Sequence, residues 1–251
     1  MSLKLGKHPA VPGAMQLSLS TYLDDTTRLP PLPKRFGNLS VWDATQWGML
    51  GNDEVGDCVF AGFAHQIMLW KATALGHDAG SFTDDDVLAN YSDATGYDPN
   101  DPSTDRGANM VRACQWWKNN GFSDHKIVGF AEVKHSQVAE AAFIFGSVGV
   151  GLQMTRGQMD QFAHAEPWDV TNDPIEGGHY VPIIGRNSHG NFLCVTWGRL
   201  QAITPAFLEH ACDEAVCQVS QEWVNAQGNM ATPRGLKLTN LVNDMRAMRN
   251  A

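Results

Sequence analysis

The chain has 251 residues, 43% of them hydrophobic, which is enough for one large domain or two small ones. Its net charge is −9, and no Lys/Arg run supplies the basic patch that a general nucleic-acid surface needs. It has no 18-residue apolar run, so we expect no membrane span, and no apolar segment near the start, so we expect no signal peptide.

The five cysteines are odd in number and include no CxxC pair. This usage favours free thiols in a reducing compartment, so we expect a cytoplasmic protein.

The first 35 residues lack helical periodicity and end in the proline-dense stretch "LPPLPKR". We interpret residues 1–35 as an N-terminal arm or linker. It lies on the body, docks on a protein partner or remains a solvated tail.

Helical periodicity begins after Asp57. It predicts helices over about 58–75, 84–95, 108–120 and 137–146. Thr83 is the expected N-cap of the second helix, with three aspartates in its first turn. The loop 96–107 resembles a calcium loop only loosely, because its prolines and missing terminal Glu break the EF-hand pattern.

The period then changes to that of strands. We predict strands over 148–154, 179–185, 191–197 and 214–220, and a short helix capped by Thr204. The last segment, 238–250, has an apolar stripe at helical spacing. Helices in the first half and strands in the second predict an α+β fold, as two lobes with a cleft between them.

Cys58 lies at the expected start of the first long helix, in "GNDEVGDCVFAGFAH". The helix N-terminus favours a thiolate, whereas a small buried core residue is the competing interpretation. His65 lies about 10 Å further along the same helix, too far for proton transfer. His164 and His210 have no supporting pattern.

His179 opens a predicted strand after "EGG", and a hairpin would bring Trp197, in "VTWG", back beside it. A structural histidine next to an aromatic neighbour fits the same pattern. A metal site that uses Cys58 and His179 lacks the usual ligand spacing.

Taken together, "GNDEVGDCVFAGFAH", "GGHYVPIIGR" and "VTWG" resemble, in order and spacing, three motifs of the papain-like cysteine peptidase family. The segments "SFTDDDVLANY", "GANMVRACQWWKNNGF" and "SVGVGLQM" resemble the segments between those motifs. The resemblance covers roughly 36–220, and leaves 221–251 as a C-terminal helical extension packed on the body. The GNDxxGDC and VTWG forms also resemble a little-characterised group of papain-like proteins in bacteria and their phages.

The resemblance implies a papain-like two-lobed fold with a central Cys-bearing helix and an antiparallel sheet or barrel in the second half. It also implies a Cys–His dyad without a cofactor, in which Cys58 is the nucleophile and His179 the base. Asn52 would be the oxyanion donor, one methylene shorter than the family's Gln. The supporting residues would be Gly178, Thr196 and Trp197.

Two further positions depart from the family pattern. Val195 stands where the family has the Asn that orients the His, and the neighbouring Thr196 is expected to point to the opposite face. Gly107 and Ala108 stand where a glycine pair lines the substrate cleft. His179 would then be oriented by Asn187, Asn191, a backbone carbonyl or a water.

No pro-segment motif is apparent before residue 36, so a secreted zymogen is not expected. Two functions remain open. One is a cysteine hydrolase that acts on a peptide or protein. The other is a catalytically impaired papain-fold protein with a binding or structural role, which would be a virion component if the chain is phage-encoded.

Overall fold

The computed structural model describes residues 3–23, 31–37, 42–43, 45–75, 80–221 and 239–247. These residues form seven α-helices: α1 (Cys58–Leu75), α2 (Asp84–Thr95), α3 (Met110–Asn120), α4 (Val138–Phe145), α5 (Arg156–Ala163), α6 (Pro205–Ala211) and α7 (Thr239–Ala247). They also form six strands: β1 (Ile127–Glu132), β2 (Val148–Thr155), β3 (Ile175–Arg186), β4 (Phe192–Thr196), β5 (Arg199–Ile203) and β6 (Cys212–Ser220).

The strands make one antiparallel sheet in the order β1-β6-β2-β3-β4-β5. Because β1 and β5 are its two edges, the sheet is open. The expected α+β fold is confirmed, and of the expected antiparallel sheet or barrel the structure has the open sheet.

Three elements were absent from the expectations, namely β1, α5 and β5. The first strand has the sequence "IVGFAE", whose glycine interrupts the apolar pattern. Helix α5 carries little apolar periodicity and is set by its capping box, in which Thr155 and Gln158 bond each other's backbone N–H groups. Strand β5 is short and follows a turn at Trp197 and Gly198, whose first residue is the last residue of the predicted strand 191–197.

Helix α1 lies across the middle of the molecule and is buried on nearly every side. A helix that is apolar all round belongs in a core rather than on a surface. It packs against β3 so closely that a Cβ on Gly62 would lie 2.4 Å from the ring of Tyr180. This packing brings the N-terminus of α1 next to the middle of the sheet.

Helix α7 packs its Leu241, Val242 and Met245 against the sheet. Its contact with β1 requires Gly129, because a Cβ there would lie 2.7 Å from Met245 Cβ. Leu238, expected in the same stripe, lies outside the described residues. Among the described helices, none combines the length and apolar character needed to cross a membrane.

Candidate active site

Cys58 is the first residue of α1. The carbonyl of Asp57 accepts the first helical hydrogen bonds, from Phe60 N at 2.7 Å and Ala61 N at 3.1 Å. Only 1% of the Cys58 surface is exposed, and this burial raises the pKa of its thiol to about 11. The backbone N–H groups of Tyr180 and Gly6 act in the opposite direction. In this conformation burial raises the thiol pKa by more than the helix N-terminus lowers it, so Cys58 is a neutral thiol.

Asp57, directly before Cys58, is fully buried. Its carboxyl is near the Asn52 side chain and its own backbone N–H, both of which lower its pKa, but no hydrogen bond of regular geometry reaches either oxygen. Burial raises the pKa of this carboxyl well above its usual range, which favours the neutral acid. A neutral acid does not repel a thiolate that forms beside it.

His179 lies on β3 and is held on several sides. Its Nε2 atom lies 2.7 Å from Oγ1 of Thr196. Its ring stacks on Trp197, with centroids 4.3 Å apart and planes 18° apart, and it meets Trp168 edge-on at 6.2 Å. The other ring nitrogen, Nδ1, is buried without a hydrogen-bond partner. Burial, with a smaller effect of His65, lowers the pKa of His179 to about 3, so the ring is neutral.

The contact with Thr196 corrects one expectation, since its side chain points toward His179 rather than away from it. Val195 is buried in the core and does not take part. Asn187 instead bonds the backbone of its own turn, accepting from the N–H groups of His189 and Asn191.

A two-residue turn explains this placement. Thr196 pairs with Arg199 across β4 and β5, so Trp197 and Gly198 are the only residues between the strands. Both have positive φ, 44° and 77°, as in a type I′ hairpin turn. The turn presses the indole of Trp197 against His179 and ends β4 with the Thr196 hydroxyl at Nε2.

Asn52 lies in the loop before α1 and is buried. Its amide Nδ2 donates to the carbonyl of Val55 at 3.0 Å. The same side chain also interacts with the Asp57 carboxyl, where it opposes the rise in pKa that burial causes.

The N-terminal arm lies in the cleft between the two halves of the molecule. Gly6 N and Lys7 N both donate to the Gly178 carbonyl, at 3.1 and 3.0 Å. On the other side, His8 N donates to the Ala108 carbonyl at 2.9 Å, and Ala108 N donates to the Gly6 carbonyl at 2.8 Å. This segment therefore lies on the body, as one of the alternatives expected, and is not a solvated tail, whereas a protein partner for the arm stays a prediction. Although no pro-segment motif is apparent in the sequence, the segment covers the cleft.

The close fit of the arm depends on glycines. A Cβ on Gly6 would lie 1.8 Å from the carbonyl oxygen of Gly56, and one on Gly107 would lie 2.0 Å from the carbonyl oxygen of Gly6. Gly107 also has a φ of +72°, which favours glycine. The structure thus brings Gly107, Ala108 and Gly178 together around one extended segment, beside a groove of about 520 Å³.

Three residues of this site were missed from the sequence: Lys7, Asp213 and Glu214. The Nζ atom of Lys7 lies 2.8 Å from Asp213 Oδ1 and 2.9 Å from Glu214 Oε1. No local signal joins residues about 200 positions apart.

All five cysteines are buried free thiols. Within the described part of the chain, no group of three or more His, Cys, Asp or Glu side chains is arranged to hold a metal ion.

The chain was compared with protein families, curated proteins and solved structures. No family model and no curated protein matches the sequence. Xylellain, a cysteine protease from Xylella fastidiosa, superposes with a TM-score of 0.50 at 14% identity, over 87% of this chain and 96% of that chain. ProCathepsin B S9 from Trypanosoma congolense has a TM-score of 0.56 at 12% identity, with 87% of each chain covered. Procathepsin L 3 from Tenebrio molitor larval midgut has a TM-score of 0.54 at 11% identity, over 87% of this chain and 76% of that chain. At such identities the likeness concerns the fold.

Proposed function

We propose that this chain, which has a divergent papain-like fold, is a cysteine peptidase-type hydrolase. One observation carries the proposal. His179 is fixed at Nε2 by Thr196, and its Nδ1 remains without a partner. The next residue of the same strand, Tyr180, presents its N–H to the sulfur of Cys58.

In this proposal Cys58 is the nucleophile and His179 the base. Nδ1 takes the thiol proton, and the sulfur attacks the carbonyl carbon of a peptide or protein substrate. His179 then protonates the leaving amine, and water hydrolyses the acyl-enzyme. The residues named in these steps need no cofactor.

The oxyanion would be held by two N–H donors. The first is the backbone N–H of Cys58, which belongs to the helix turn that lacks intrahelical acceptors. The second would be the Asn52 amide, which would have to release its contact with the Val55 carbonyl or the Asp57 carboxyl to donate to the oxyanion. Loss of one such donor costs roughly 3–4 kcal/mol in the transition state.

Substrate can bind only after the arm has left the cleft. With the arm in place, Cys58 has a pKa of about 11 and His179 one of about 3, so the thiolate–imidazolium pair is not formed. Desolvation is the largest cause of both shifts, and the entry of water into the cleft reduces it. The described conformation is therefore a closed form of the proposed enzyme.

The second candidate is a catalytically impaired papain-fold protein with a binding or structural role. The buried neutral Cys58 and His179 favour it, as does a Thr hydroxyl at the His in place of an amide. In that case the arm would fill the cleft permanently, or a protein partner would bind there. A cytoplasmic or virion location stays a prediction under either candidate.

Alkylation by iodoacetamide at pH 6 separates the two candidates. Lys7→Glu places a third acid beside Asp213 and Glu214 and should expel the arm, whereas Lys4→Glu makes the same charge change at an exposed arm position. We expect Lys7→Glu to label at Cys58 and to hydrolyse fluorogenic peptides, and Lys4→Glu to behave as wild type.

Adding His179→Ala to Lys7→Glu should slow the labelling by about tenfold or more, because the base no longer stabilises the thiolate. Cys58→Ala should abolish hydrolysis. Equal labelling with and without His179, together with no hydrolysis, would support the non-catalytic candidate.

A further inference from the structure

Lys7 is an arm residue whose charged side chain enters the body of the protein. Its side chain is fully buried, whereas those of Asp213 and Glu214 keep 15% and 5% exposure. The ammonium group donates to Asp213 Oδ1 at 2.8 Å, to Asp213 Oδ2 at 2.9 Å and to the His8 carbonyl at 2.9 Å. Glu214 Oε1 lies 2.9 Å away as the second carboxylate.

The pocket that holds this ammonium is shaped by a missing side chain. Gly151 of β2 pairs with Glu214 of β6 in the sheet. A Cβ on Gly151 would lie 1.9 Å from Lys7 Cε and 2.6 Å from Asp213 Oδ1. The glycine thus leaves a channel, occupied by the alkyl chain of Lys7, that leads from the cleft to the acids.

Apart from Lys7, the arm is held by backbone bonds, by packing of Leu3 and Leu5 against the core, and by His8 Nε2, which lies 2.6 Å from the Arg106 carbonyl oxygen. The bonds of Gly6, Lys7 and His8 to Gly178 and Ala108 join main-chain atoms, which any extended peptide offers. Among the contacts described for this segment, the Lys7 ammonium is the one that selects a charged side-chain type. When the arm leaves, two carboxylates remain next to each other at the end of the channel, arranged for a cation.

From this geometry we infer that the channel under Gly151 is a specificity pocket for a Lys or Arg side chain, with Asp213 and Glu214 as its recognition groups. The inference rests on the proposed function: the preferred substrates are peptides that place a basic residue against Gly178 and Ala108. The arm inhibits by offering such a residue from the same chain.

The pocket can be tested by binding, without catalysis. The probe is a fluorescein-labelled peptide with the sequence of residues 3–10, "LKLGKHPA". The receptor is the full chain with Lys7→Glu, to empty the cleft, and Cys58→Ala, to prevent turnover. Binding is followed by fluorescence anisotropy.

Norleucine in place of the second lysine of the probe, the one equivalent to Lys7, removes the ammonium and keeps the alkyl chain. We expect it to weaken binding by about tenfold or more, because a charge-assisted contact is lost. Norleucine in place of the first lysine, equivalent to Lys4, changes the peptide charge identically and should weaken binding much less. Arginine at the second position should bind comparably to lysine.

The receptor variant Asp213→Asn with Glu214→Gln should bind the lysine and norleucine peptides alike. If this variant fails to fold, the inference is still tested by comparing the two norleucine peptides on the receptor that keeps Asp213 and Glu214. Equal weakening by the two norleucine substitutions would overturn the inference.

Catalysis is scored separately, with Lys7→Glu and intact Cys58 on a mixed peptide library. No cleavage, together with selective binding of the basic peptide, would count against the proposed function and leave the pocket assignment standing. Cleavage without a preference for basic residues would count against the pocket and leave the proposed function standing.

Discussion

The Nε2 atom of His179 lies 2.7 Å from the hydroxyl oxygen of Thr196. A hydroxyl both donates and accepts, whereas an amide oxygen only accepts. Thr196 is therefore compatible with both neutral tautomers of His179. Only the tautomer with its proton on Nε2 leaves Nδ1 free as a base.

This relationship predicts a difference between two substitutions of Thr196. Thr196→Val removes the hydroxyl, leaves a buried Nε2 unpaired and should lower kcat by roughly tenfold to a hundredfold, corresponding to about 1–3 kcal/mol. Thr196→Ser keeps the hydroxyl and should retain most of the activity. Both are measured in the Lys7→Glu chain, where the cleft is open.

Because a merely structural loss would also lower activity, the pH profile of kcat/KM supplies the second readout. Thr196→Val should shift the part of this pH profile that reflects the pKa of His179, and Thr196→Ser should not. If both variants keep the wild-type profile and rate, Thr196 does not orient the base.

Removing the ammonium of Lys7 should destabilise the closed form. Lys7→Met keeps the length of the side chain but leaves Asp213 and Glu214 without their cation. Breaking a buried pair costs about 3–5 kcal/mol when the structure stays closed, and detachment of the arm lowers that cost. We expect a loss of about 1–3 kcal/mol in the free energy of unfolding, measured by urea denaturation.

Lys4→Met is the matched control, since Lys4 is exposed in the same arm. It should change the free energy of unfolding by less than about 0.5 kcal/mol. Equal effects of the two substitutions would mean that the pocket contributes no specific stability.

Gly151→Ala should expel the arm without changing any charge. The added methyl would lie 1.9 Å from Lys7 Cε, so the side chain cannot stay in the channel. We expect alkylation of Cys58 to become as fast as in Lys7→Glu, while the preference for basic peptides is lost. Alkylation as slow as in the wild type would show that the channel tolerates a methyl group.

Two buried histidines predict how stability depends on pH. Burial lowers the pKa of His65 to about 4 and that of His179 to about 3, from an ordinary value of 6.5. Between pH 6.5 and about 4 the unfolded chain therefore binds protons that the folded chain does not. The contribution of the two histidines to the free energy of unfolding is complete above pH 6.5. It falls on acidification by about 1.4 kcal/mol per pH unit for each histidine.

Asp57 and Glu214 act in the opposite direction, because their raised pKa values make the folded state bind protons first. Their contribution to the free energy of unfolding grows as the pH falls through those raised pKa values toward the ordinary carboxyl range. His179→Gln separates the effect of the histidine from that of the carboxyls. Between pH 6 and 4.5 it should lower the slope of the unfolding free energy against pH by about 1.4 kcal/mol per pH unit, which corresponds to one bound proton. An unchanged slope would mean that His179 does not remain neutral in the folded state.

The sequence by itself determined the features that depend on neighbouring residues. Thr83 and its aspartates start α2, the apolar run after Asp57 makes α1, and the order of Cys58, His179 and "VTWG" indicated the fold. Periodicity and capping are local and can be read from a few adjacent positions. The open sheet and the strands β1 and β5 could not be read in this way, because pairing between strands joins distant segments. Helix α5 depends on a local capping box, at Thr155 and Gln158, that the apolar pattern does not reveal.

Only the tertiary structure decided the contents of the cleft. The bond from Lys7 to Asp213 joins residues 206 positions apart, and the Gly151 channel exists only once β2 and β6 are paired. The role of Thr196 depends on the turn at Trp197 and Gly198, which rotates the end of β4 toward His179. Contacts of this kind arise from packing between separate elements, and no spacing within the sequence records them.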